Sequence, residues 1–263
     1  MKKGFNFFMI AIVAIISFSG CKKNTPEDPI TDNCKLTNVE RSNKGFPDYN
    51  ATITYEGDKI KTISSGSEII TYTYGANTIT IKNNDQYTYD DEVLTLVGGK
   101  ISKLEVGGYT NNYNYNSEGY LIGIDTYEGQ QLIERLTLTY TNGNLTSSLS
   151  GDPALFIRKE TTYEFSSELS KPNFFLNTPH LNAYDTAIVG DYLGKLSKNQ
   201  LVKSTSKTYV QGTVSPISTT VNTYQYTKDA TGNFATGIHK FETTDAGGTQ
   251  ETTISEKYTF TCN

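Results

Sequence analysis

In the stretch YNYNSEGYLIGIDTY, residues 113–127, tyrosines alternate with asparagines, the alternation breaks at Asn116-Ser117-Glu118-Gly119, and apolar positions resume at Leu121, Ile122 and Ile124. Successive side chains of an extended strand point to opposite faces, so Tyr113 and Tyr115 share an apolar face while Asn112, Asn114 and Asn116 share a wet one. Gly119 can take a positive φ without steric cost, and the pattern predicts a β-hairpin. The same grammar, aromatic-x-aromatic, polar turn, then aliphatics two apart, returns in ITYEGDKIKTI (53–63), YTYGANTITI (72–81), YTYDDEVLTL (87–96), LTYTNGNLTS (138–147) and YQYTKDATGNFATGI (224–238). TYEFSSEL (162–169) and KYTF (257–260) carry only its first strand clearly. The spacing is irregular, which makes a meander of related hairpins and not a solenoid.

Short connections make sequential strands antiparallel neighbours, and a long meander must curl, close or split because open edges invite further pairing. The expectation is therefore an all-β fold, an up-and-down meander of about 12–15 strands curled or closed into a barrel-like sheet. One segment departs from the strand pattern. In residues 171–200, Leu181, Tyr184, Ile188, Tyr192 and Leu196 recur at helical spacing, although Gly190 and Gly194 weaken a continuous helix. This predicts an insertion with one short helix, followed by a return to strand at LVKSTSKTYV, 201–210.

Composition agrees with strands: the 263 residues include Tyr 19 and Phe 12 against Trp 0 and Met 2. Residues 1–20 read as a signal peptide, with Lys2 and Lys3 as its basic region and an apolar run from Phe5 to Phe18 too short to span a bilayer comfortably. SFSGC, small residues before Cys21, resembles the lipobox of bacterial lipoproteins, in which the cysteine becomes the lipidated N-terminus; a plain secretory signal is the alternative. Residues 21–33 then read as the anchored cysteine and a polar tether, whose twelve residues after Cys21 reach roughly 40 Å when extended. Residues 34–263 are expected to form a single β domain. The formal charge of −5 falls to −7 without Lys2 and Lys3, which argues against a nucleic-acid partner or an anionic leaflet for the chain as a whole. Lys22 and Lys23 could still touch headgroups beside the anchor. Two cysteines remain, Cys34 and Cys262, and in an exported protein an even remainder usually pairs. Two free thiols that never meet are the alternative.

The lipobox, the cysteine at residue 34, the YTYGANTITI and YNYNSEGYLIGI hairpins, YTNGNLTS and GKLSKNQLVKSTS together resemble a family of Bacteroidota lipoproteins of unassigned function with a porin-like fold, over roughly residues 34–262. A looser similarity is to the tyrosine- and aspartate-containing repeats of bacterial wall-associated and toxin-shell proteins. Neither resemblance implies a catalytic residue, ligand residue or cofactor. The resemblance implies an outer-membrane lipoprotein of the cell envelope, on its periplasmic or cell-surface side.

Catalytic chemistry needs clustered ligands or positioned titratable groups, and the pattern offers few. His180 in NTPHLN reads as a loop or cap residue, and His239 in GIHKFE as an exposed or hydrogen-bonded strand residue. Asp90, Asp91 and Glu92 offer oxygen ligands but lack the spacing of a calcium loop and read as a solvated turn. No nucleophile elbow, phosphate loop or zinc pair is present. Asp185-Thr186-Ala187 resembles the O-glycosylation acceptor motif of exported Bacteroidota proteins, with Thr186 as the acceptor. The chain is expected to be a non-enzymatic, lipid-anchored binding or accessory protein without cofactor or metal, touching the membrane through its anchor and binding a glycan, a protein or a small apolar ligand. A structural component docking on another membrane protein is the second reading and an enzyme the third. Phe174, Phe175, Tyr184 and Tyr192, gathered in the insertion, are candidates either for partner contact or for plugging the barrel. The absence of Trp and of a terminal aromatic favours a water-soluble barrel over a membrane-spanning one.

Overall fold

Alternation of apolar and polar positions, carried through one hairpin after another, produces a closed wall. The computed structural model of the chain describes residues 34–43, 48–84, 91–152, 157–170, 192–210, 212–230 and 232–262, and among these it has sixteen strands and no helix. They are β1 (Cys34–Asn43), β2 (Tyr49–Glu56), β3 (Lys59–Ser65), β4 (Glu68–Tyr74), β5 (Thr78–Asn83), β6 (Glu92–Val97), β7 (Lys100–Val106) and β8 (Tyr109–Tyr115). The second half comprises β9 (Leu121–Glu128), β10 (Gln131–Thr141), β11 (Asn144–Asp152), β12 (Ile157–Leu169), β13 (Asn199–Val210), β14 (Ser218–Lys228), β15 (Phe234–Asp245) and β16 (Gly248–Cys262). Each strand pairs antiparallel with the next, and β1 pairs with β16 from Cys34↔Cys262 to Asn43↔Ile254, so the sheet closes and has no free edge.

The sequence pattern leads to about 12–15 strands, and the structure corrects this to sixteen. One boundary it misses is Gly107-Gly108, both at positive φ, which reverses the chain between β7 and β8. Elsewhere among the described residues the hairpin reading holds, while residues 87–90 of YTYDDEVLTL lie outside them. At residues 116–120 the Asn116 side chain accepts from the Tyr120 amide at 3.0 Å and Gly119 sits at φ 93°.

The tyrosines and aliphatics face inward. Val39, Ala51, Ile53, Tyr72, Ile79, Leu94, Leu104, Ile124, Leu138, Tyr163 and Tyr258 belong to one continuous buried cluster, with Tyr113, Tyr115 and Tyr140 packed against it.

In β1, β3, β7 and β9 the inward aliphatics are three residues apart, Leu36 and Val39, Ile60 and Ile63, Ile101 and Leu104, Leu121 and Ile124, whereas Ile79 and Ile81 of β5 keep the two-residue spacing. Leu36, Ile60, Ile101, Leu121, Leu145, Leu201 and Phe234 are all buried, and one residue beyond each the register slips by a bulge. Leu121 and Ile124 therefore both point inward, while Ile122 is 37% exposed. These seven bulges lie at the barrel end that carries Cys34 and Cys262, here called the proximal end, while a further one between Leu132 and Glu134 of β10 lies at the other end. A bulge bends its strand and increases local twist, which coils the wall there. The second tyrosine of the motif completes the device: the hydroxyls of Tyr55, Tyr74 and Tyr115 donate to the carbonyls of Leu36, Ile60 and Ile101 at 2.8, 2.9 and 2.9 Å. Each supplies a partner where the ladder is interrupted.

The proximal end is crossed by a strap, residues 192–198. The Tyr192 carbonyl accepts from the Ile101 amide at 2.9 Å, the Lys195 amide donates to Gly119 at 3.0 Å, and the Lys198 amide donates to Gly143 at 2.9 Å. Leu193 is 1% exposed beneath it. This part of the expected insertion is irregular, not helical, because its backbone groups pair with the wall instead of with their own preceding turn. Gly194, at φ 77°, passes so close to the Gly119 carbonyl that a Cβ has no room. Of the helical stripe, Leu181, Tyr184 and Ile188 lie outside the described residues.

Candidate functional site

Inward parity along β16 places Glu256 in line with Tyr258 and Phe260, and a carboxylate inside a barrel must find partners. Its side chain is 0% exposed, and Arg41 of β1 reaches it through Nε at 2.7 Å and Nη2 at 2.6 Å. The Tyr258 hydroxyl donates to the other carboxylate oxygen. Burial pushes the Tyr258 hydroxyl well above its ordinary pKa, with the Glu256 charge adding to it, so it stays a donor.

His239 of β15 stands beside this pair. Its Nε2 is 3.3 Å from Glu256 Oε2 but not aligned for a hydrogen bond. The ring is buried among Tyr224 at 5.0 Å, Tyr226 at 6.1 Å and Phe241 at 6.5 Å. Burial lowers its pKa, Glu256 pulls it back up, and Arg41 lowers it further. The expected exposed or hydrogen-bonded histidine is thus an enclosed ring at an inward position, in register with Tyr224. Nearby in this half of the interior Thr161 is bonded to Ser206 at 2.9 Å and Asn222 to Ser204 at 3.0 Å. A fully enclosed carboxylate cannot meet a substrate; what Glu256 can do is tie β1 to β16 where the barrel closes. Sequence reasoning missed this pair. Its signal is Glu256 two residues before Tyr258, a charge at inward parity.

A groove of about 590 Å³ at this seam is lined among others by Glu40, Arg41, Tyr49, Asn50, Glu256 and Lys257. Glu40 and Lys257 pair across it at 3.2 Å, and Asn50 accepts from Asn38 at 2.7 Å.

Of the residues singled out by sequence, Cys34 and Cys262 form a disulfide, their Cα atoms 3.9 Å apart at the β1–β16 seam. Tyr192 packs against the core as part of the strap, its ring 6.4 Å from Tyr74. Asp91 pairs with Lys82 at 2.6 Å, as a solvated turn residue does. Cys21, Phe174, Phe175, His180, Tyr184, Thr186 and Asp90 lie outside the described residues.

The fold defines a class: an antiparallel sixteen-stranded closed barrel with an apolar inner cluster and charged residues outside. No family model and no curated protein matches the chain. Among solved structures it is similar to a porin-like protein from Bacteroides uniformis, with a TM-score of 0.64 and 17% identity over 86% of this chain and 98% of that one. It is also similar to a porin-like protein from Bacteroides vulgatus, with a TM-score of 0.57 and 13% identity over 86% and 98% of the two chains. At these identities the likeness is one of fold.

Proposed function

We propose that the protein is a non-enzymatic, lipid-anchored component of the cell envelope whose barrel stands in water and serves as a binding or accessory body. The carrying observation is the outward face. Mid-strand it holds the pairs Glu40–Lys257, Asp125–Arg135, Glu164–Lys203 and Lys240–Glu251 at 3.2, 2.6, 2.8 and 2.7 Å. On the lipid face of a membrane barrel each such Lys or Arg at the bilayer midplane costs about 2–4 kcal/mol. The porin-like fold of the Bacteroides structures supports an envelope location, and the lipobox-like segment before Cys21 supports the anchor.

The test is the mature chain with Cys21→Ser, purified without detergent. The reading expects a soluble monomer that leaves a planar bilayer non-conducting, and loss of acyl labelling relative to the parent. A chain that stays aggregated until detergent is added and then gives stepwise conductance overturns it.

A structural role, docking on another membrane protein, has one observation in its favour. Apolar residues gather at the distal rim, where Val214 is 97% exposed and Ile157 pairs with Val210 across β12 and β13. Crosslinking from Val214 to a membrane protein in intact envelopes is its test.

A further inference from the structure

The lysines are not spread evenly over the barrel. Seven of them, Lys35, Lys59, Lys61, Lys100, Lys195, Lys198 and Lys228, lie at the proximal end, on the turns, strand ends and strap that sit there. Five stand over aromatic rings of that mouth: Lys35 over Tyr55 at 5.3 Å, Lys59 over Tyr74 at 4.9 Å, Lys100 over Tyr115 at 5.4 Å, Lys195 over Tyr120 at 5.6 Å and Lys228 over Phe234 at 5.9 Å. Some are neutralised, Lys35 by Asp58 at 2.9 Å and Lys228 by Glu168 at 2.7 Å. Lys59, Lys100 and Lys195 have no carboxylate partner among the described residues. Lys100 and Lys195 flank Gly119, where the strap meets the wall.

The distal end has the opposite character. Glu68, Asp91, Glu92, Glu128, Glu242 and Asp245 lie toward it together with Lys82, Arg158, Lys159 and Lys207, whereas the seven proximal lysines share their end with Glu56, Asp58, Glu118, Glu168 and Asp229, so the balance of charge is basic at one end and acidic at the other. The first described residue, Cys34, belongs to the basic end. Twelve residues separate it from Cys21, a reach of at most roughly 40 Å.

We propose that the proximal end is a membrane-apposed face whose lysines, chiefly Lys59, Lys100 and Lys195, bind the anionic headgroups of a lipid surface. The proposal rests on the anchor reading for the orientation it gives, while the charge separation stands on its own. Juxtamembrane lysines gain from a negative surface potential additively, and the gain falls off within a Debye length. Stacking on tyrosine holds each ammonium at the mouth while leaving it uncompensated. A basic face docked on the membrane leaves the acidic distal end and its exposed rim turned toward solvent.

The experiment uses the mature chain with Cys21→Ser, so that no acyl chain contributes, in co-sedimentation with vesicles of pure phosphatidylcholine or of phosphatidylcholine with phosphatidylglycerol. Binding is expected to the anionic vesicles only and to weaken with salt. Lys59→Gln with Lys100→Gln and Lys195→Gln is expected to weaken it by about 5-fold per lysine, roughly 100-fold together. The Lys→Arg triple variant should retain binding, and Lys159→Gln with Lys207→Gln at the distal end should leave it unchanged. Equal binding to neutral vesicles, no binding at all, or an unaffected Gln triple variant overturns the proposal. So does full displacement by inorganic phosphate at constant ionic strength, which identifies a discrete phosphate site. Acyl labelling of Cys21 is read separately, so failure of the anchor and failure of the lysine face give different results.

Discussion

Arg41 and Glu256 meet inside the seam where the barrel closes, with Arg41 Nε 2.7 Å from a carboxylate oxygen that no solvent reaches. Removing one partner of a buried pair leaves the other charge uncompensated, at about 3–5 kcal/mol. Arg41→Ala is expected to lose that much in urea unfolding. Replacing both by Met is expected to lose markedly less, because no charge is then stranded.

His239 makes the stability depend on pH. Its folded-state pKa lies below the ordinary 6.5, since burial favours the neutral ring. That contribution is whole above pH 6.5 and is lost as the pH falls through the folded value. The groups facing the ring are Arg41, Glu256, Tyr224, Tyr226 and Phe241, and the tyrosines do not titrate in this range. Melts from pH 7.5 to 5 are expected to fall more steeply for the parent than for His239→Gln; parallel slopes would exclude the histidine as the source.

The disulfide joins residues 228 apart, across the last seam. The chain-entropy model gives a ceiling of about 5 kcal/mol for a loop of that length. Cys34→Ser with Cys262→Ser is expected to remain a barrel by circular dichroism but to unfold at lower denaturant. Free thiols in non-reduced exported protein, seen by mass spectrometry, would remove the basis for this.

The strap is held by backbone bonds with Ile101, Gly119, Gly143 and Ser170, by the Leu145 amide donating to the Ser197 hydroxyl, and by the buried Leu193 side chain. Leu193→Ala is expected to cost about 2–5 kcal/mol, as for other fully buried leucines. In Gly194→Ala the added Cβ has no room against the Gly119 carbonyl. Hydrogen exchange should then show the Ile101 amide, which donates to Tyr192, losing protection while mid-strand amides of β13 to β16 keep theirs.

The bulges give opposite fates to adjacent residues. Leu121→Ser should destabilise strongly, by the ~2–5 kcal/mol of an emptied core position or more. Ile122→Ser, on the outer face, should shift stability by about 0.5 kcal/mol or less. Thermal unfolding of the two variants separates this register from a strict two-residue alternation, which would put Ile122 and Ile124 together.

How much of this was legible depends on the range of the interaction involved. The alternation of Tyr113 and Tyr115 with asparagines, and the turn at Asn116 to Gly119, are local, so residues 113–127 by themselves determine a hairpin and the face it buries. Repetition of that unit determines an all-β meander, and a meander this long must close or curl. The bulge was not legible, because Leu121-Ile122-Gly123-Ile124 is compatible with either inward pair until a neighbouring strand sets the register. Closure decided the rest. Arg41 and Glu256 are 215 residues apart and acquire meaning only when β1 meets β16. Lys59, Lys100 and Lys195 look like scattered charges on an acidic chain, yet antiparallel strands return every second turn to the same end, and the strap crosses that end, so tertiary structure alone turns them into one basic face.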